Sequence, residues 1–487
     1  MALLIPAALL GLVLVYYLRH VNTTMKAVPQ EVYQASPHRW AEDEIKAAYK
    51  KSLEDPVNIT KSLPPKQARR YIVVGGSGLV GSWIVSHLLQ RGEHPSSIRI
   101  LDLLAPTDGL SQEVDYVKTN ITKELAVAAA FARPWPANAA NLPLTVFHTA
   151  AIIRPQDRLK IFLRLLSKVN VDGTRNVLNA AKRSGASCFI STSSGSVSLH
   201  SPNFFVAPWK SEPEHSVQVI SDDAKLPQRH HEHFGNYAVT KIEAERLVRA
   251  ADSPASNFRT GCIRPANGIY GIGSDAAMSI TGVYLRSGGS PTWVRPIIQS
   301  FVNAENVSIA HLLYEQRLLE QSQPDSTLPN IGGQAFVVTD PNPAISFSDI
   351  YTLISQLSKT PVSFPTIEPL PMLLLGYLVE FYSYIQYALF PWALPKITGD
   401  LAQVQPSLFA ISDVHVIADD TRARLPPQKG GLGYNPPLTS LDGMCKQLLD
   451  WNQKARGKLN PVEDGSGPLT LTESGVDVKA VPPANEL

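Results

Sequence analysis

Residues 70–102 read RYIVVGGSGLVGSWIVSHLLQRGEHPSSIRILD. Residues 71–74 are apolar and rich in β-branched side chains, so they read as a buried strand. Gly75, Gly78 and Gly81 follow at three-residue spacing, and residues 79–90 place apolar side chains at helical intervals. A second apolar run, 98–101, ends in Asp102. Strand, glycine turn, helix and a strand closed by an acid is the arrangement a dinucleotide requires. The turn must be tight, and its backbone must approach a pyrophosphate with no Cβ in the way. The helix N-terminus then presents N–H groups and the positive end of its dipole to the phosphates. This makes Gly75, Gly76, Ser77, Gly78, Leu79, Val80 and Gly81 candidates for cofactor binding. Asp102 stands where a carboxylate accepts hydrogen bonds from the adenosine ribose, and its charge repels a 2′-phosphate. The expected cofactor is therefore NAD.

The same rhythm continues. VDYVKTNIT at 114–122 reads as a strand ending near Asn120 and Ile121, beside the expected adenine edge. LTVFHTAAI at 144–152 reads as a buried strand running into small residues, where Ala150 and Ala151 let a cofactor pass close above the strand end. A helix covering NVDGTRNVLNAA and a strand entering the hydroxyl-rich turn CFISTSSGSV come next. Strands and helices alternating at this length predict an α/β fold, a Rossmann-type doubly wound parallel sheet. Its ligand belongs at the carboxyl ends of the strands.

Tyr237 and Lys241, four apart in NYAVTKIEAERLV, share one face of a predicted helix. An ammonium near a phenol favours the phenolate and draws its pKa down from about 10. A hydroxyl from a neighbouring strand end can hold the substrate oxygen. Such a set can take a proton from an alcohol while hydride leaves its carbon. The spacing alone is common in helices; it gains meaning downstream of a dinucleotide turn and a Ser-rich strand end.

Across about residues 70–455 the chain resembles the extended short-chain dehydrogenase/reductase superfamily, and most of all the branch of 3β-hydroxysteroid dehydrogenases and sterol-4α-carboxylate 3-dehydrogenases. The resemblance is carried by GGSGLVG at 75–81, LDL at 101–103, FHTAA at 147–151, STSSGSV at 191–197, YAVTK at 237–241, IRPANGIYG at 263–271 and ENVSIAH at 305–311. It implies Ser194 as the catalytic serine, Tyr237 as the base and Lys241 as its partner, both also touching the cofactor. Arg264 and Pro265 would begin the loop over the nicotinamide. The implied reaction is NAD-dependent oxidation of a 3β-hydroxyl on a sterol-like substrate, followed by loss of CO2 where C4 carries a carboxylate. A reductase acting on another bulky carbonyl, and a non-catalytic cofactor-binding protein on the same fold, are the alternatives. The chain departs from the family pattern at Asn120, where the family has Asp, and in the long stretch before Tyr237 that carries HHEHF at 230–234. Consecutive histidines in a loop rarely converge on one ion, so no metal site is expected.

The 487 residues allow two or three domains, and a net charge of +2 argues against nucleic acid as a partner. Cys188, Cys262 and Cys445 are sparse and odd in number, which suggests buried free thiols. Residues 2–18 contain no charge, with Tyr16 and Tyr17 at their end and Arg19 and Lys26 beyond. They predict an uncleaved single-pass anchor within residues 1–25, with the bulk of the chain cytosolic, and an endoplasmic reticulum membrane as its location. Residues 26–66 read as a linker, 67–275 as the dinucleotide-binding domain and 276–455 as a smaller substrate lobe. Within that lobe PMLLLGYLVEFYSYIQYALFPWAL at 371–394 places Glu380, Ser383 and Gln386 on one side, which predicts a helix lying in the membrane surface. The tail at 456–487 reads as disordered. Expected partners are a hydrophobic sterol-like molecule and the membrane, with a homodimer or other sterol-pathway enzymes as further candidates.

Overall fold

In the computed structural model, which describes residues 4–107, 114–273, 279–457, 469–472 and 475–478, the strand Arg70–Val74 lies inside a seven-stranded sheet. Across the sheet the order is Gln334–Val338, Arg259–Pro265, Ala186–Thr192, Leu144–His148, Arg70–Val74, Ile98–Asp102 and Asp115–Lys118. Every pairing is parallel, with Val73 opposite Ile100 on one side and Phe147 on the other, and Phe147 opposite Ile190. Period-two alternation divides the core into two layers. Tyr71, Val73, Phe147, Ile190 and Ile263 face the helices Leu79–Gln90 and Ala304–Gln321. Ile72, Val74, Val146, Phe189 and Cys262 face Glu124–Ala132, Thr174–Arg183 and the end of Asn236–Ala250. The doubly wound α/β reading is thus the observed fold. All three cysteines are free and buried.

The smaller lobe is built on a four-stranded mixed sheet in the order Ile345–Ser346, Ile298–Gln299, His415–Ala418, Val217–Ile220. The two lobes interleave along the chain where a single boundary was expected at 275/276, a point outside the described residues. Val217–Ile220 crosses into the small sheet from the long stretch before Tyr237, and Gln334–Val338 returns from beyond residue 276 to close the parallel sheet. Parallel strands need long crossovers, so neighbours in space come from distant sequence.

Residues 26–66, expected as a linker, include a helix packed on the lobe. Helix Glu42–Glu54 buries Ile45 and packs Ala48 and Tyr49 into the core of the lobe. Asn452 donates to the Tyr49 hydroxyl at 3.0 Å, and Arg39 pairs with Asp349 at 3.0 Å. An apolar stripe at i, i+3 and i+4 inside a charged run is enough to dock a helix.

One helix among the described residues is long and apolar enough to cross a membrane, and it lies at the N-terminus. It runs over Leu4–Met25, past the uncharged segment, and Ile5, Leu10 and Val13 are exposed along its first half. Its last turns sink into the protein, where Val21 and Met25 meet Phe204, Leu370, Leu373 and Phe409. Helix Pro369–Ala388 covers most of the stretch 371–394. Its Glu380 and Gln386 are buried against the protein, while Leu374, Leu378 and Phe381 are exposed. Of the expected tail, helix Ser440–Gly457 extends into its first residues, and Leu469–Thr472 pairs antiparallel with Gly475–Val478. Its remainder lies outside the described residues.

Candidate active site

The glycine turn joins Arg70–Val74 to Leu79–Gln90. Gly75 has a φ of +82°, and a Cβ there would stand 2.6 Å from the backbone nitrogen of Ala150. At Gly81 a Cβ would lie 2.0 Å from the carbonyl oxygen of Gly75, so only glycine lets the helix seat this close to the turn. The helix begins at Gly78 with no side-chain cap on its first N–H groups. Asp102 accepts from the backbone N–H of Ser77 at 3.0 Å and of Leu103 at 2.7 Å, which fixes its carboxylate beside the turn. Thr149 and Ala150 donate backbone N–H groups to Val74 at 2.8 and 3.1 Å, placing the small residues directly against the turn. Uncapped helix N-terminus, Cβ-free backbone and an acid at the next strand end fit a dinucleotide.

Asn120 accepts from the N–H and hydroxyl of Thr122 at 3.0 and 2.8 Å, and the carbonyl of Ile121 accepts from Asn176 at 2.9 Å. This holds the end of strand Asp115–Lys118 in place. Ala151 leads into Ile152, whose N–H donates to Asn170 at 2.8 Å; Asn170 also donates to Thr240 at 3.0 Å. Asn170 lies in a π-helical segment, Lys168–Gly173, and ties the small-residue turn to the helix that carries the two candidate catalytic residues. The sequence had quoted this residue only as part of a motif.

Tyr237 and Lys241 lie one turn apart on helix Asn236–Ala250, both buried. The hydroxyl of Ser194, at the start of the turn after Ala186–Thr192, stands beside the phenol and favours its ionised form. It also lies 2.7 Å from the hydroxyl of Ser196. Burial pushes the Tyr237 phenol up to about 12, and the Ser194 hydroxyl opposes that rise. Lys241, one turn on, is anchored on the neighbouring strand end. Its ammonium donates to the carbonyl of Thr192 at 2.6 Å, and burial draws it down to about 8.

Further contacts complete the arrangement. The hydroxyl of Thr192 lies 2.8 Å from Nε2 of His311. Glu245, one turn beyond Lys241, accepts from Ser193 at 2.6 Å and from both ends of the Arg264 guanidinium at 2.9 and 2.7 Å. Arg264 is thus a buried strut inside strand Arg259–Pro265 and does not begin a loop. Pro265 ends that strand, and a Cβ at Gly195 would come within 2.8 Å of its carbonyl. Glu245 was within reach of the helical spacing rule; His311 was not, because 119 residues separate it from Thr192. Among the described residues no group of three or more His, Cys, Asp or Glu side chains could hold a metal. In the run 230–233, His230 lies 2.7 Å from the side-chain oxygen of Asn236.

The profile of the 3-beta hydroxysteroid dehydrogenase/isomerase family matches residues 72–364, more than half of the chain. The chain belongs to that family. Its members are NAD(P)-dependent oxidoreductases with this Rossmann-type sheet. The human sterol-4-alpha-carboxylate 3-dehydrogenase (decarboxylating) is 28% identical over 294 residues, covering 60% of this chain and 68% of its own. The mouse 3 beta-hydroxysteroid dehydrogenase type 7 is 27% identical over 400 residues, 80% of this chain and 96% of its own. Among solved structures, the UDP-glucose 4-epimerase of Thermotoga maritima superposes with a TM-score of 0.52 at 15% identity, over 79% of this chain and 99% of its own. That likeness concerns the fold alone.

Proposed function

We propose that this 3β-hydroxysteroid dehydrogenase family member oxidises the 3β-hydroxyl of a sterol or related polycycle to the 3-ketone, with NAD as cofactor. The observation that carries the reading is the placing of the Ser194 hydroxyl beside the buried Tyr237 phenol, where it favours the phenolate, at the carboxyl edge of the sheet and on the same edge as the Gly75 turn. Tyr237 Oη takes the proton of the substrate hydroxyl, and Ser194 orients the same oxygen. Lys241, held by Thr192, keeps a positive charge one helical turn away. NAD, when bound, supplies the acceptor for the hydride that leaves C3. Where C4 carries a carboxylate the product is a β-keto acid, which loses CO2 readily.

The apolar N-terminal helix supports a membrane anchor that is retained. Its last turns form part of the core, and Lys26 pairs with Glu368 at 2.8 Å, which a cleaved leader would forfeit. Arg19 and Lys26 on its C-terminal side favour a cytosolic catalytic part, and the endoplasmic reticulum is the membrane this reading expects. A sterol resides in lipid, so the outward apolar side of helix Pro369–Ala388 suits a membrane-surface position beside the substrate lobe.

The test is to incubate membranes carrying the chain with NAD and a panel of 3β-hydroxysterols, with and without a C4 carboxylate, and to analyse products by mass. Formation of a 3-ketone that needs both NAD and Tyr237 is expected. No oxidation of any sterol, with NAD still bound, sinks the reading. For topology, the exposed Asn58 triplet should stay unglycosylated in eukaryotic membranes; a glycan there reverses the orientation.

A further inference from the structure

Helix Pro369–Ala388 turns its charge inward and its apolar side outward. Glu380 receives both ends of the Arg158 guanidinium at 2.7 Å, and that guanidinium lies 5.3 Å from the centre of the Tyr377 ring. Leu378 and Phe381 are 66% and 63% exposed, and Trp392, just past the helix, is 85% exposed. This outer side is continuous with the N-terminal helix, since the two helices pack together through Val21, Leu370 and Leu373. An apolar surface of this extent on a soluble face marks an interaction site.

Its border is basic. Arg158, Lys160, Arg164 and Lys168 follow one another with no acidic residue between them. Arg158 is committed to Glu380, while Lys160 and Arg164 form no ion pair among the described residues. Phe162 packs edge-on to Tyr387 of the apolar helix, with ring centres 5.0 Å apart. A cleft of about 170 Å³ opens at this junction, lined by Ile161, Arg164, Leu165, Lys168 and Tyr387. Basic and apolar side chains meet in it at the rim of the exposed apolar surface.

We propose that this cleft seats the headgroup of an anionic phospholipid from the bilayer on which helix Pro369–Ala388 lies. Charge complementarity selects the occupant: the guanidinium of Arg164 matches a phosphate diester, and Ile161, Leu165 and Tyr387 match the start of its acyl chains. The cytosolic leaflet supplies such lipids, and each basic side chain near an anionic surface adds to binding. The inference rests on the membrane-surface position of that helix and adds a selective headgroup contact to it.

The test uses the full chain in micelles of an uncharged detergent, titrated calorimetrically with short-chain phosphatidylserine, short-chain phosphatidylcholine and inorganic phosphate. Wild type should bind the serine lipid about fivefold more tightly than the choline lipid, the worth of one basic side chain at an anionic surface. Arg164→Gln should bring the two affinities together, Arg164→Lys should keep most of the preference, and NAD affinity should be unchanged in both. Equal affinity of wild type for the two lipids overturns the headgroup site and leaves the membrane-surface helix standing. Inorganic phosphate binding as tightly as phosphatidylserine overturns it in favour of a free-anion site. No binding of either lipid, in a protein that still binds NAD, overturns the headgroup site and the membrane-surface position together.

Discussion

The ammonium of Lys241 lies 2.6 Å from the carbonyl oxygen of Thr192, and His311 holds the same residue through its side-chain hydroxyl. Nδ1 of His311 is 2.8 Å from the carbonyl of Val307, so it carries the proton, and Nε2 accepts from the Thr192 hydroxyl. Burial draws the imidazole down to about 4, so it stays neutral at working pH. His311 is therefore a positioning residue. His311→Leu leaves the Thr192 hydroxyl buried without an acceptor, at a cost of about 1–3 kcal/mol in stability. It should also lower kcat while changing NAD affinity little. His311→Gln offers an acceptor again and should restore most of the rate. Steady-state kinetics beside NAD titration on both variants checks this; a kcat equal to wild type in His311→Leu defeats it.

Tyr237→Phe removes the proton acceptor and leaves the turn at Gly75 intact. Loss of about 10²–10⁴-fold in kcat is expected, with NAD still bound. The phenol, pushed up to about 12, is mostly protonated at pH 7, and only its ionised form acts as base. For wild type kcat/KM should therefore climb steadily between pH 6 and 9. A flat profile over that range, or near-full turnover by Tyr237→Phe, removes Tyr237 from the role of base.

Much of this was legible in local sequence, because the parallel sheet and the glycine turn are local statements. The alternation of Tyr71, Ile72, Val73 and Val74 sorts directly into the two core layers. The strand of residues 334–338 and the struts Glu245–Arg264 and Thr192–His311 escaped because they join parts far apart in the chain, and only the crossovers bring them together. The docking of helix Glu42–Glu54, a run legible as a short surface helix, escaped for a different reason. Ile45, Ala48 and Tyr49 are its few apolar anchors, and the charges around them read as solvated linker. Arg264 was placed at the start of a loop by the family resemblance alone; burial and a bidentate carboxylate make it part of the strand.

Cofactor choice follows from Asp102. Its carboxylate is fixed by the N–H groups of Ser77 and Leu103, so it cannot swing away from a 2′-phosphate without breaking the turn. We expect kcat/KM for NAD to exceed that for NADP by at least about tenfold, which is about 1.4 kcal/mol. Asp102→Ser should narrow the ratio by lifting the repulsion. A wild-type preference for NADP contradicts the argument.

Asp413 gives the last prediction. It is buried behind helix Pro406–Ser412, and neither carboxylate oxygen has a partner among the described residues. Desolvation pushes its carboxyl well above the ordinary value of 3.8. The sign follows from proton linkage. Between 3.8 and the raised value the folded chain keeps a proton that the unfolded chain releases, so rising pH favours unfolding. Below 3.8 both states are protonated and the effect vanishes. Asp413→Asn keeps the shape and removes the titration. Its unfolding midpoint, measured on the full chain in detergent micelles, should exceed that of wild type at pH 7.5. The gap corresponds to about 1.4 kcal/mol for each pH unit separating the solution from the ordinary value, up to the raised one. It should shrink as pH falls towards 4. A gap that is constant from pH 4 to 7.5, or a variant less stable than wild type at pH 7.5, shows that the Asp413 carboxylate is compensated in the folded chain.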